Sequence, residues 1–176
     1  DDFFVQEFMD YSTHPTGYEW EQDGVHFNIL NSFADGEDEN TSSLAIKISY
    51  NDFTLMHGGD TYAVNQQKIL RNFVEDVPAQ VFYANHHFHG SVDPVYIRVT
   101  NPDLVILDLK MGGLDGIQTL TQIRQTDPDL PVLILTGHGK YEHALAGIQL
   151  GVVDFVQKPV GLKILGERIR DLVKGG

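Results

Sequence analysis

Short apolar runs separated by polar turns dominate the chain, and their period changes near residue 60. Before that point "VHFNIL" has the length and composition of a strand, and "SLAIKISYNDFTLMHGG" reads as two strands joined at Asn51-Asp52, a turn dipeptide between β-rich runs. An antiparallel hairpin is the expectation. Residues 1–24, with "YSTHPTGYEWEQDG", carry aromatic and turn residues without a period, so they predict a loop-rich lead-in with at most one short strand. After Asp60, Ala63, Ile69, Leu70 and Phe73 fall at helical spacings, "AQVFYANHH" is a strand, and "SVDPVYIRVTN" predicts a short helix beginning near Ser91 and Pro94. "DLVILDL" is apolar on both faces, as a parallel strand covered by helices is. There follow an amphipathic helix through Ile117, Leu120 and Ile123, a strand "PVLILTG", a helix "YEHALAGIQLG" with a Gly stop, a strand "VDFVQKP", and an amphipathic helix "LKILGERIRDLVK".

From Phe53 onward strand and helix alternate strictly. That alternation predicts an α/β fold with a doubly wound, mainly parallel sheet, helices on both faces, extended at its start by the antiparallel hairpin. No repeat or low-complexity linker marks a domain boundary, so one continuous domain is expected.

Composition narrows the function. With no Cys, a disulfide scaffold, a thiolate zinc site and a Cys nucleophile are excluded, leaving Asp, Glu and His as metal ligands. No run of about 18 apolar residues exists to cross a membrane, and "DDFFVQEFMD" lacks the order of a secretory signal, so a cytoplasmic location is expected. The first residue is Asp rather than Met, which suggests an excised piece. The net charge of −13 is uneven: residues 1–100 hold 16 Asp and Glu against 4 Lys and Arg, and the rest hold 9 against 8. An acidic first part repels phosphate backbones, so nucleic acid is disfavoured as a partner. The run "ADGEDEN" reads as a solvated loop rather than a cation site.

In such a fold, chemistry gathers at the carboxyl ends of the strands. Asp108 ends "DLVILDL", Thr136 ends "PVLILTG" and Lys158 ends "VDFVQKP". Singly, Asp108 would serve as a helix cap, Thr136 as a strand terminus and Lys158 as a surface charge. Together, a carboxylate nucleophile, a hydroxyl for a phosphoryl oxygen and an ammonium to offset its charge suit phosphoryl chemistry.

The strings "PDLVILDLKMGGLDG", "LPVLILTGHG" and "LGVVDFVQKPV" carry a family likeness: residues 102–176 resemble the latter part of a response-regulator receiver domain. The resemblance implies Asp108 as phosphoacceptor, Thr136 as the hydroxyl residue, Lys158 followed by Pro159 as the phosphate-contacting lysine, and Phe155 as the switch aromatic. It also implies Mg²⁺, held by Asp108, the Lys110 backbone carbonyl and an acidic pair at the end of a first strand. This chain has no such pair in the usual form. Gly112 stands where the family usually has Pro, giving that turn added backbone freedom.

Residues 25–107 resemble a second family. "NTSSLAIKISYNDFTLMHGGD" and "VFYANHHFHGSVDPVYIRVTNPDLVI" are similar to the C-terminal half of a metallo-β-lactamase-fold hydrolase of the competence-protein type. There a strand ending in Gly-Asp supplies a metal ligand, matching Asp60, and a His-His-Gly-like turn supplies another, matching His86 or His87, with His89 close by in "HHFHG". The HxHxDH zinc motif of that family does not occur, so a Zn²⁺ hydrolase site is incomplete and the histidines also read as a polar loop.

The chain thus reads as a hybrid, with a hydrolase-like part over residues 1–107 and a receiver-like part over 102–176. If strand order followed the receiver pattern, the Phe53–His57 strand would lie beside that of Asp108, about 4.8 Å away, and Asp60 would stand in for the missing acid. The expected function is a signal-transduction module taking a phosphoryl group from a histidine kinase or small phosphodonor. The alternatives are a metallo-hydrolase remnant with Zn²⁺ or another divalent metal, and a chimeric scaffold with neither activity. No DNA-binding domain follows Gly176, so output is expected through a partner on this domain's own surface, a homodimer being allowed.

Overall fold

In the computed structural model, residues 15–32, 43–59, 61–84, 93–109, 115–137 and 149–174 are described. Most of the expected helix "YEHALAGIQLG", the acidic loop "ADGEDEN", Asp60, Lys110, Gly112, and His86, His87 and His89 lie outside them.

Eight strands form one sheet in the order of the chain: β1 (Glu19–Gln22), β2 (Val25–Asn31), β3 (Ala45–Tyr50), β4 (Phe53–His57), β5 (Val81–Ala84), β6 (Leu104–Leu109), β7 (Val132–Thr136) and β8 (Asp154–Gln157). From β1 to β4 the pairs are antiparallel, and from β4 to β8 they are parallel. The expected α/β class therefore holds, with a mainly parallel sheet and an N-terminal antiparallel extension. Asn51, at φ 50°, makes the tight turn that joins β3 to β4, as its dipeptide predicted.

Four helices connect the parallel part: α1 (Ala63–Phe73), α2 (Pro94–Thr100), α3 (Asp115–Thr126) and α4 (Leu162–Lys174). Helix α2 starts where Asp93 caps it, its carboxylate accepting from the Val95 N–H at 2.8 Å, with Pro94 inside the first turn and left-handed Asn101 at the end. The start of α2 is tied to α1 by the Asp93 N–H, which donates to buried Gln66 at 2.8 Å.

Side chains alternate across each strand, so two faces result. On the first, Met56, Phe82, Val105, Leu107, Val132 and Ile134 meet Ile69 of α1, Tyr96 and Ile97 of α2, and Leu120 and Ile123 of α3. On the second, Val81, Leu104, Ile106, Leu133, Leu135 and Val156 meet Leu165, Ile169, Leu172 and Val173 of α4. Helices thus lie on both faces, three on one and, among the described residues, one on the other.

The order of the strands overturns one expectation. Val81–Ala84, not Phe53–His57, pairs with the strand of Asp108, and β4 lies beyond β5. Two strand spacings, about 10 Å, therefore separate β4 from β6, and Asp60 itself lies outside the described residues. A strand's apolar pattern says that helices cover it; it does not say which strand lies beside it.

Candidate functional site

Asp108, Thr136 and Lys158 are brought to one edge of the sheet. Asp108 pairs with Leu135 and Leu109 with Thr136, so β6 and β7 end together. Thr136 in turn pairs with Gln157, and the Lys158 N–H donates to the Thr136 carbonyl oxygen at 2.7 Å. Three adjacent strands thus present the three residues at their carboxyl ends, with the Lys158–Pro159 peptide cis. Phe155, one position before Val156 of the second-face core, is half-buried against the first-face core beside Ile134.

The entries of β7 and β8 are held in place by a side chain whose role the sequence did not disclose. From the last turn of α3, Arg124 donates to three carbonyls: Leu130 ahead of β7 at 2.7 Å, and Leu150 and Gly151 ahead of β8 at 2.7 and 2.9 Å. One guanidinium, with its rigid fork of donors, therefore ties the entry of both strands to the helix that follows Asp108. Burial lowers the Arg124 pKa from its ordinary value, opposed by the carboxylates of Asp127 and Asp129. The signal available in the sequence was a basic residue in the last turn of a helix, which commonly serves carbonyls.

A divalent cation beside Asp108 requires further oxygen ligands. The neighbouring strand β5 reads Val81-Phe82-Tyr83-Ala84 and brings no acid to the edge. Among the described residues no group of three His, Cys, Asp or Glu is placed to hold a metal. The described residues do not complete a Mg²⁺ site or a Zn²⁺ site, and the candidate ligands Asp60, His86, His87 and Lys110 lie outside them.

The span from α1 to α4 matches the model of the response regulator receiver domain, over residues 65–170. The chain belongs to the response regulator receiver domain family. The match starts well before residue 102 and so overlaps the part that resembles a hydrolase; nothing in it supports the metallo-β-lactamase resemblance.

Two curated relatives of this receiver are the transcriptional regulatory protein GlrR of Escherichia coli (strain K12) and the response regulator MprA of Mycobacterium leprae (strain TN). The first is 43% identical over 81 residues, 44% of this chain and 18% of that protein. The second is 40% identical over 73 residues, 42% of this chain and 32% of that protein. The chain thus spans about a third or less of these relatives. Among solved structures, the NtrX receiver domain from Brucella abortus is 33% identical with a TM-score of 0.41, covering 47% of this chain and 70% of that one. A two-component response regulator of the LuxR family from Aurantimonas sp. SI85-9A1 is 32% identical with a TM-score of 0.41, covering 47% and 59%. GlrR is named a transcriptional regulatory protein, and the expectation against nucleic acid is without support. Among the described residues no helix is long and apolar enough to cross a membrane.

Proposed function

We propose that this receiver accepts a phosphoryl group on Asp108 from a histidine kinase or a small phosphodonor. The observation that carries the reading is the common register of β6, β7 and β8, which ends Asp108, Thr136 and Lys158 along one edge. A carboxylate oxygen of Asp108 attacks phosphorus. The new P–O bond forms as the donor's bond to phosphorus breaks, that bond being P–N for phosphohistidine and P–O for acetyl phosphate. The leaving imidazole or acetate departs with the bonding pair. The Thr136 hydroxyl donates to a phosphoryl oxygen, and the Lys158 ammonium offsets the charge gathered at the strand ends. Phe155, packed beside β7, is the aromatic that reports the change to the surface.

Receiver domains generally use Mg²⁺ for this reaction, so the test includes it. Acetyl phosphate is added with and without Mg²⁺, and the intact mass is followed. Gain of one phosphoryl group, absent in Asp108→Asn and slowed in Lys158→Ala, is the expected result. Equal labelling of Asp108→Asn would sink the assignment, as would no labelling in either buffer.

A further inference from the structure

The pairing of β4 with β5 divides the sheet in two. On one side β1 to β4 are antiparallel, with tight turns at Asp23-Gly24 and Asn51-Asp52; on the other β5 to β8 are parallel. The match to the receiver family begins at residue 65, inside α1, so β1 to β4 all precede it. No hairpin spans the division, because the chain passes from β4 to β5 only through α1.

The seam is short. It pairs Leu55 with Val81, Met56 with Phe82 and His57 with Tyr83, the shortest pairing among the described strands, whereas β6 and β7 pair over five residues. Parallel pairing is also slightly less stable per residue than antiparallel. On the second face the seam is the floor of an open groove of about 1010 Å³, lined by Leu55, His57 and Tyr83 and by Leu162, Leu165 and Gly166 of α4, so helix cover there is partial. The first face holds the seam shut: Met56 and Phe82 share a core with Leu30, Ala45 and Ile69 of α1. Opening uncovers that core, and the closed sheet is therefore the resting form.

Two reciprocal hydrogen bonds close the seam at its entry. The Thr54 N–H donates to the Gln80 Oε1 at 3.1 Å, and the Gln80 N–H donates to the Thr54 hydroxyl oxygen at 3.0 Å. The Gln80 carbonyl oxygen accepts from the Asp103 and Leu104 N–H groups at 2.8 and 3.1 Å, which anchors Gln80 to the entry of β6. Gln80 thus belongs to the parallel part and reaches across to Thr54 of β4. At the exit, the Gly58 N–H donates to the Tyr83 carbonyl oxygen at 3.1 Å, and the His57 ring stacks on Tyr83 at 5.0 Å.

We propose that the sheet opens first at this seam, with Thr54 and Gln80 as its latch. Strands β1 to β4 leave as one unit, and β5 to β8 keep their pairing and the edge that carries Asp108. Opening bares β5 beside the strand of Asp108. The proposal does not depend on phosphorylation of that residue.

Native-state hydrogen exchange of the whole chain, read amide by amide by NMR at several low urea concentrations, is the test. Amides of β2, β3 and β4 are expected to share one opening equilibrium and to exchange at least tenfold faster than those of β6 and β7. Ile134→Val trims the buried core on β7, which the open form retains, so β6 and β7 are expected to speed up about fivefold while β2 to β4 stay unchanged. Thr54→Val removes the latch hydroxyl with little change of shape. The latch is broken in partial and in complete opening alike, so exchange in β2 to β4 and in β6 and β7 is expected to rise together, about tenfold. Gln80→Met, which removes the acceptor of the other bond, is expected to do the same. If Ile134→Val speeds all of these amides equally, the sheet unfolds as one body and the proposal fails. If Thr54→Val leaves β2 and β3 unchanged, they fray from the β1 edge with the seam closed, and it fails equally.

Discussion

Replacing Arg124 tests whether the entries of β7 and β8 are held by one guanidinium. Arg124→Ala removes three donors from the carbonyls of Leu130, Leu150 and Gly151. The bond to Gly151 is exposed, and water takes over that carbonyl at little net change. The other two are part-buried at 2.7 Å, and losing them leaves carbonyls short of a donor, at about 1–1.5 kcal/mol each. The expected loss is therefore about 2–3 kcal/mol, or roughly 5–10 °C for a chain of this size. Arg124→Lys keeps the charge but offers one ammonium where a fork of donors served separate carbonyls, so about half of the loss is expected. Urea unfolding followed through Trp20 and by far-ultraviolet dichroism reads the midpoint, with an unchanged slope as the sign that only stability moved. A second readout is positional: amide shifts of Thr136, Gln157 and Lys158 should move in Arg124→Ala, because the carbonyls it releases lead into their strands. If Arg124→Ala stays within about 0.5 kcal/mol of the parent, the three bonds are ordinary surface contacts and the argument fails.

Other outcomes follow from particular residues. Gly59 sits at φ 57°, and a Cβ there would run into the Leu44 carbonyl oxygen and lie 2.7 Å from the Ser43 hydroxyl. Gly59→Ala is expected to lose more than about 3 kcal/mol by thermal unfolding, the left-handed φ and the backbone clash acting together. At Gly58 the Cβ meets the edge of the Phe82 ring at 3.2 Å, with the Tyr83 carbonyl oxygen at an ordinary 3.7 Å, so Gly58→Ala should lose about 1 kcal/mol; equal losses at both positions would refute the distinction. Tyr96 is fully buried, its hydroxyl has no hydrogen-bond partner among the described residues, and its ring meets Phe82 edge-on at 5.8 Å. Tyr96→Phe should be neutral or stabilising by about 1 kcal/mol in urea, since an unsatisfied buried hydroxyl is removed and the ring contact kept. Burial also raises the Tyr96 phenol above its ordinary value, so the folded state stays protonated while the unfolded chain ionises above about pH 10. Stability associated with Tyr96 is present below that pH and lost as the pH climbs further; the advantage of Tyr96→Phe should widen there, and parallel alkaline curves would contradict it.

Much of the element pattern was legible because it is written in short periods. The apolar run "DLVILDL" became β6, with Leu104 to Leu107 buried, because a strand between two helical layers needs apolar side chains on both faces. Pro94 and its neighbours marked the start of α2, although the cap is Asp93, one residue from the expected signal. Single residues at strand ends could be read as chemistry for the same reason: Asp108, Thr136 and Lys158 each follow an apolar run, and parallel strands end on one side.

What stayed hidden depends on contacts across the chain. The place of β5 between β4 and β6 leaves no trace in the periodicity of any of the three, and with it went the expected adjacency of the Phe53–His57 strand to that of Asp108. Arg124 looked like one more polar position on an amphipathic helix; its partners stand 6, 26 and 27 residues away and are backbone carbonyls, which every residue has. The groove was hidden for a third reason. The stripe Leu162, Leu165, Ile169 and Val173 announces an apolar face, and the sequence leaves open whether that face is wholly used within the chain. In the fold it is used in part: Leu165, Ile169, Leu172 and Val173 reach the core, while Leu162 and the open side of Gly166 face the groove. The apolar pattern of α4 is therefore wider than its own sheet contact requires.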